Sequence, residues 1–319
     1  MLQKPKCPVI ALEEHYWDDE LARLAQTVKR SAHVTQRLFD LGELRLNEMD
    51  EAGVDIQVLS HGSPSAQMLT GEEAPAIVER VNDRLAAFVK TKPDRFGAFG
   101  ALATCNPAAA ASELERVVTR HGFKGAMIHG LTGTEFLDDR KFWPVFERAE
   151  ALDVPIYLHP SVPHPAVTQA YYQDYLADFP MVIRAAWGFT VETATQAIRM
   201  VLSGVFEKYP NLKIILGHLG ETLPFLVWRV DQAMSRPGAK SISFRDVFCN
   251  HFYLTTSGFF SNPALLCCVQ EMGIDRIMFA IDWPFVTNSL GTKWIDTIPL
   301  CEEDKIKILS GNARRLLRM

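Results

Sequence analysis

The chain has 319 residues, 48% hydrophobic and 22% charged, an ordinary globular composition able to bury a large core. Its 33 basic and 38 acidic residues leave a formal net charge of −5 at pH 7, so neither a nucleic-acid backbone nor an anionic membrane surface is an expected partner. Six cysteines, Cys7, Cys105, Cys249, Cys267, Cys268 and Cys301, include no C-x-x-C pair, which points away from a zinc-thiolate site and from a disulfide framework.

Residues 1–8 carry basic side chains, but no apolar run long enough for a signal-peptide core follows, and no window approaches a membrane span. A cytoplasmic location is expected. Short β-branched or apolar runs then recur at 9–15, 55–61, 96–102, 125–129, 155–159, 213–218, 251–257 and 276–282. Helical periodicity lies between them, over 108–121, 141–152 and 192–209 among others. Eight such βα units predict an α/β fold, a closed (β/α)8 TIM barrel forming one domain over 1–319. A doubly wound open sheet shares this local grammar, yet neither G-x-G-x-x-G nor G-x-x-x-x-G-K-[ST] occurs. The stretches 16–48 and 161–191 are too long for plain connections. As loop insertions leaving the C-terminal ends of the first and fifth strands, they are expected to cover the mouth of the barrel.

The polar residues cluster by position. Glu13, His15, His61, His129, His159, His218 and Asp282 all fall at the C-terminal ends of predicted strands, the catalytic end of a barrel. Glu13 and His15 are two apart and leave the same face of a strand, while Glu14 faces away. His159 is followed by Pro160, which stops strand pairing, and Asp282 precedes Trp283 and Pro284. Glu13, His15, His159 and Asp282 make a nitrogen and oxygen donor set suited to one Zn²⁺, Mn²⁺ or Fe²⁺, with a position left for substrate or water. Taken singly each residue has a plainer reading: Asp282 organising its turn, Glu13 pairing with an arginine. Taken together, buried acids and imidazoles are costly unless a metal or mutual pairing compensates them.

A second constellation lies in LGHLGETLPFLVWR. Glu221 is placed to hydrogen-bond His218 and raise its basicity, and Arg229 lies about two helical turns beyond Glu221. Glu221 as a helix N-terminal carboxylate and Arg229 as a surface cation are the alternatives. His129 and His61 are open between substrate contact and packing.

These residues sit in segments that resemble a known family. ALEEH, IYLHP, LSGVFEKYPNLKIILGHLGETLPF, FYLTTSG and FAIDWPF followed by NARRLL are similar, in order and spacing over 9–317, to the amidohydrolase-related decarboxylases. The γ-resorcylate and dihydroxybenzoate decarboxylases are the nearest in motif. The resemblance implies that Glu13, His15, His159 and Asp282 bind one catalytic divalent ion, Zn²⁺ or Mn²⁺. It implies that His218 with Glu221 is the neighbouring acid–base group, and that Arg229 meets a substrate carboxylate. The implied activity is non-oxidative decarboxylation of an ortho-hydroxy aromatic acid or a vinylogous analogue, with Asp282 delivering a proton to carbon. Hydrolysis of a lactone, ester or amide is the alternative for the same residues. A homodimer or homotetramer is also implied, with a small-molecule carboxylic acid as substrate. The chain departs from the resorcylate pattern at His129, where those enzymes have Asn, at Val286, and in the loop SVPHPAVTQAYYQDYLADFP. All three lie around the expected pocket, with His129 a candidate substrate contact.

Overall fold

The computed structural model describes residues 6–25, 30–234 and 243–319; of the N-terminal basic residues Lys4 lies outside them. Eight parallel strands follow in order: β1 (Ile10–Tyr16), β2 (Ile56–His61), β3 (Phe96–Ala98), β4 (Ala126–His129), β5 (Ile156–His159), β6 (Ile214–Leu216), β7 (Phe252–Thr255) and β8 (Ile277–Met278). Continuous pairing runs β1-β2-β3 and β4-β5-β6-β7-β8. Single bridges, Gly100 with Ala126 and Glu14 with Trp283, join the two sheets at both edges, and the Leu12 amide donates to the Phe279 carbonyl at 3.2 Å. The sheet therefore closes on itself as a TIM barrel.

The principal helices are α1 (Glu43–Ala52), α2 (Ala74–Thr91), α3 (Pro107–His121), α4 (Trp143–Leu152), α5 (Gly188–Ser203), α6 (Leu223–Ala233), α7 (Asn262–Met272) and α8 (Asn288–Ile295). Local chemistry sets their ends. Asn106 accepts from the Ala109 amide ahead of Pro107, and Gly122 closes α3 at φ 73°. The apolar faces of the helices pack on the outer strand residues, such as Ala11, Leu59, Ile128, Leu158 and Leu254. A second cluster fills the barrel itself: Ile10, Leu12, Val58, Phe99, Met127, Tyr157, Ile215, Met278 and Ala280.

The observed strands are shorter than the sequence suggests. β3, β6 and β8 stop at Ala98, Leu216 and Met278, and past β3 and β8 only scattered bonds continue in the wall, such as Phe99 N–H to the Leu59 carbonyl and Leu12 N–H to the Phe279 carbonyl. His218 and Asp282 are thus loop residues just past a strand, not strand ends. The helix expected over 192–209 starts earlier, at Gly188, and breaks at Gly204, whose φ of 85° ends α5 before the short turn Val205–Lys208. The two excursions carry short helices, Ala32–Phe39 in the first and Pro165–Val167 in the second.

Candidate active site

β1 is buried along its whole length, charged residues included. Its alternation breaks between Ala11 and Glu14, where the register with β2 shifts. Leu12 points into the barrel, and the shift lets Glu13 and His15 follow it while Glu14 turns outward. Glu14 is then free to serve the seam. Its carboxylate accepts from the amides of Ile281 at 2.9 Å and Trp283 at 3.2 Å, which holds the backbone on either side of Asp282. The Asp282 amide itself donates to the Glu13 carbonyl at 3.1 Å, and its φ is 72°.

One atom from each of Glu13, His15, His159 and Asp282 lies within 4.8 Å of the other three. His159 Nε2 stands 3.2 Å from Glu13 Oε1, His15 Nε2 3.4 Å from Asp282 Oδ1, and His15 Nε2 3.8 Å from Glu13 Oε1. Glu13 Oε1 and His15 Nε2 are buried without a hydrogen-bond partner. Orphaned polar atoms aimed at one point are what a cation would satisfy. The residues therefore fit the divalent ion.

The outward atoms of these side chains are tied down. Ser60 Oγ lies 3.1 Å from His15 Nδ1, the Pro160 carbonyl 2.7 Å from His159 Nδ1, and Tyr157 donates its hydroxyl to Glu13 Oε2 while lying 2.7 Å from Thr255 Oγ1. Such partners fix the free nitrogen of each imidazole and the rotamer of each carboxylate. Tyr157, Thr255 and Ser60 escaped sequence reasoning. The signal for Tyr157 was present, since it sits two residues before His159 on the same face of β5.

His218 and Glu221 come together by a backbone route the sequence did not reveal. Residues His218, Leu219, Gly220, Glu221 and Thr222 all have positive φ, a left-handed turn between β6 and α6. It brings His218 Nδ1 to 2.7 Å from Glu221 Oε1 and His218 Nε2 to 3.8 Å from Glu13 Oε1. Burial opposes charge on His218, but Glu221 and Glu13 outweigh it and push the imidazole up to about 10. Burial likewise opposes charge on His15, and Asp282 with Glu13 raises it to about 9.

The same turn corrects the geometry expected for Arg229. Glu221 precedes α6 and does not share its face, and Arg229 is exposed on α6 and outside the mouth cavity. His129 lies behind the cluster, its Nδ1 2.9 Å from His159 Nδ1, and burial followed by the neighbouring His159 holds it well below the usual histidine range. His61 is buried with Nδ1 3.0 Å from the Gly62 carbonyl, and burial pushes it down to about 4. Neither borders the mouth cavity.

That cavity, of about 100 Å³, is lined by His159, His218 and Asp282 on the barrel side and by Phe285, Phe189, Met181, Arg30 and Arg184 above. It is a small slot with aromatic and cationic walls over a nitrogen and oxygen donor cluster, suited to a planar organic anion.

Comparison with known proteins agrees with this geometry. The γ-resorcylate decarboxylase of Polaromonas sp. strain JS666 is 38% identical over 97% of this chain and 98% of its own length. The solved structure of 2,6-dihydroxybenzoate decarboxylase from Rhizobium superposes with a TM-score of 0.89 at 35% identity, covering 98% of this chain and 99% of that one. A dihydroxybenzoic acid decarboxylase from Polaromonas sp. JS666, solved with manganese and the inhibitor 2-nitroresorcinol, gives 0.90 at 37% identity, covering 98% and 97%. The amidohydrolase family matches residues 15–319, nearly the whole span of the barrel, and the chain belongs to that family.

Proposed function

We propose that this chain is a metal-dependent, non-oxidative decarboxylase of hydroxy-aromatic acids. One observation carries the reading: Asp282 faces the donor cluster, 3.4 Å from His15, and also lines the slot in which an organic acid would lie. A single carboxylate can therefore serve both the ion and the substrate carbon. Glu13, His15, His159 and Asp282 would hold one divalent ion, manganese or zinc, which supplies a Lewis acid and a template for the hydroxy acid.

The remaining chemistry belongs to the chain. Asp282, protonated, gives its proton to the ring carbon bearing the carboxylate; the carbon–carbon bond then breaks, its electron pair returns to the ring and CO2 leaves. His218, charged through Glu221, is the neighbouring acid that restores the proton on Asp282. Phe285 and Phe189 supply apolar walls that exclude water from the ring. Arg229 is not among the residues that line the slot, so its contact with a substrate carboxylate rests on the resemblance alone.

The decisive experiment is CO2 release from a panel of hydroxybenzoates by the manganese-loaded enzyme, run beside a panel of lactones. Turnover of a hydroxybenzoate is expected. Opening of a lactone with no CO2 from any hydroxy acid would make the protein a hydrolase.

The reading extends to the whole chain as a single barrel domain working as a homodimer or homotetramer. Its support is the exposed apolar surface of α6, where Phe225 and Trp228 are 81% and 66% exposed. No helix among the described residues is long and apolar enough to cross a membrane. Six free cysteines accord with a reducing, cytoplasmic setting.

A further inference from the structure

Two guanidinium groups stand at the mouth, and among the described residues neither is in ion-pair contact with a carboxylate, although Asp282 lines the same cavity. Arg30 comes from the excursion after β1 and Arg184 from the excursion after β5, and both line the cavity shared by His159, His218 and Asp282. Each is partly buried. Arg30 Nε is buried without a hydrogen-bond partner, and the guanidinium lies 5.0 Å from the centre of the Phe285 ring. Elsewhere a shielded guanidinium has its partners: Arg37 pairs with Glu48, Arg116 with Glu113 and Asp83, and the fully buried Arg45 donates to the Asp40 and His15 carbonyls and to Gln57. Arg30 and Arg184 bridge to no carboxylate among the described residues. Burial lowers the pKa of both; for Arg30 repulsion from Arg184 adds to the fall, and the Asp282 carboxylate opposes it without cancelling it.

Two like charges gathered in a partly desolvated slot are unfavourable unless an anion joins them. The leaving carboxylate is a poor candidate for that anion. Its charge passes into the ring as CO2 forms, so cations gripping it stabilise the ground state more than the transition state. A carboxylate that stays on the ring keeps its charge throughout, and guanidinium pairs bind such groups through charge-assisted, often bidentate hydrogen bonds. Resting on the decarboxylase reading, we propose that Arg30 and Arg184 together bind a second, spectator carboxylate, so that the preferred substrate is a hydroxy-aromatic diacid. Each of the two insertions supplies one half of the recognition site.

The test compares 2-hydroxybenzoate with 4-hydroxybenzene-1,3-dicarboxylate on the manganese-loaded enzyme. These acids share the ortho-hydroxy acid and differ by one carboxylate. Wild type is expected to favour the diacid at least about tenfold in kcat/KM, and the Arg30→Gln/Arg184→Gln double variant to lose that preference chiefly through KM. Calorimetric binding of benzene-1,3-dicarboxylate against benzoate reads recognition alone, because neither has the hydroxyl that turnover requires. The same preference in wild type, and its loss in the variant, is expected there. Equal losses on both acids, or no diacid preference in wild-type binding, overturns the proposal. A binding preference without CO2 release from either acid would instead defeat the decarboxylase reading and leave the arginine site standing. Should the double variant not fold, Arg184→Gln alone, in a surface loop, carries the same comparison.

Discussion

The donors of the candidate metal centre come from β1, which supplies two, from the end of β5 and from the segment after β8, and single substitutions separate their roles. His159→Ala leaves three donors and should lose most of the bound metal, roughly 100-fold in affinity; elemental analysis showing one ion per chain in that variant would remove His159 from the ligand set. Asp282→Asn keeps much of the shape of the side chain but cannot protonate carbon. A fall in turnover of about 10²–10⁴-fold, with metal only partly lost, is expected. Recovery of activity with excess manganese would mean that Asp282 is a ligand alone. The pH response follows from His15, whose metal-free pKa of about 9 lies above its unfolded value of about 6.5. Its contribution to stability in the metal-free protein is full below pH 6.5 and is lost as pH rises through 9. Manganese keeps the imidazole neutral and removes that dependence. The difference in Tm between loaded and EDTA-treated protein should widen from pH 6.5 to 9, and a constant difference would count against the pairing. Glu13, His15, His159 and Asp282 were legible in the sequence because ionisable residues at apolar strand ends are conspicuous. Arg30 and Arg184 were not, since nothing in an irregular loop fixes where a long side chain reaches.

At the level of elements, strand order and most helices followed from periodicity, whereas the two backbone devices that aim the site did not. The shift in β1 puts Glu13 and His15 inside the barrel after Leu12, where strict alternation from Ile10 and Leu12 would have turned them outward. The left-handed run after β6 depends on five consecutive positive φ values, of which one belongs to a glycine. Hydrophobic pattern carries no trace of such a turn, and this is why Glu221 was read as opening the helix that carries Arg229. Gly217, just before the run, has another duty. A Cβ there would meet Glu13 Oε2 at 2.7 Å, and its φ of −71° is open to any residue. Gly217→Ala should therefore displace Glu13 and weaken manganese binding about tenfold with little change in metal-free stability. A lowered metal-free Tm with unchanged affinity would show that the contact is absorbed elsewhere.

For the molecule as a whole, exposed Phe225 and Trp228 on α6 are more apolar surface than a solitary protein of this kind usually leaves in water. Light scattering is expected at two or four times 35.8 kDa, and a monomer mass would leave those side chains unexplained. The seam between β1 and β8 has a consequence in time. The Glu14 carboxylate and the Ile281 amide that it accepts from are 267 residues apart, and Asp282 follows directly. Synthesis releases Glu13 and His15 at the outset and their partner carboxylate only near the end. A nascent or truncated chain thus lacks the full set of donors, and metal uptake becomes a roll-call of finished molecules: what is loaded has been translated to the last strand and has closed its barrel.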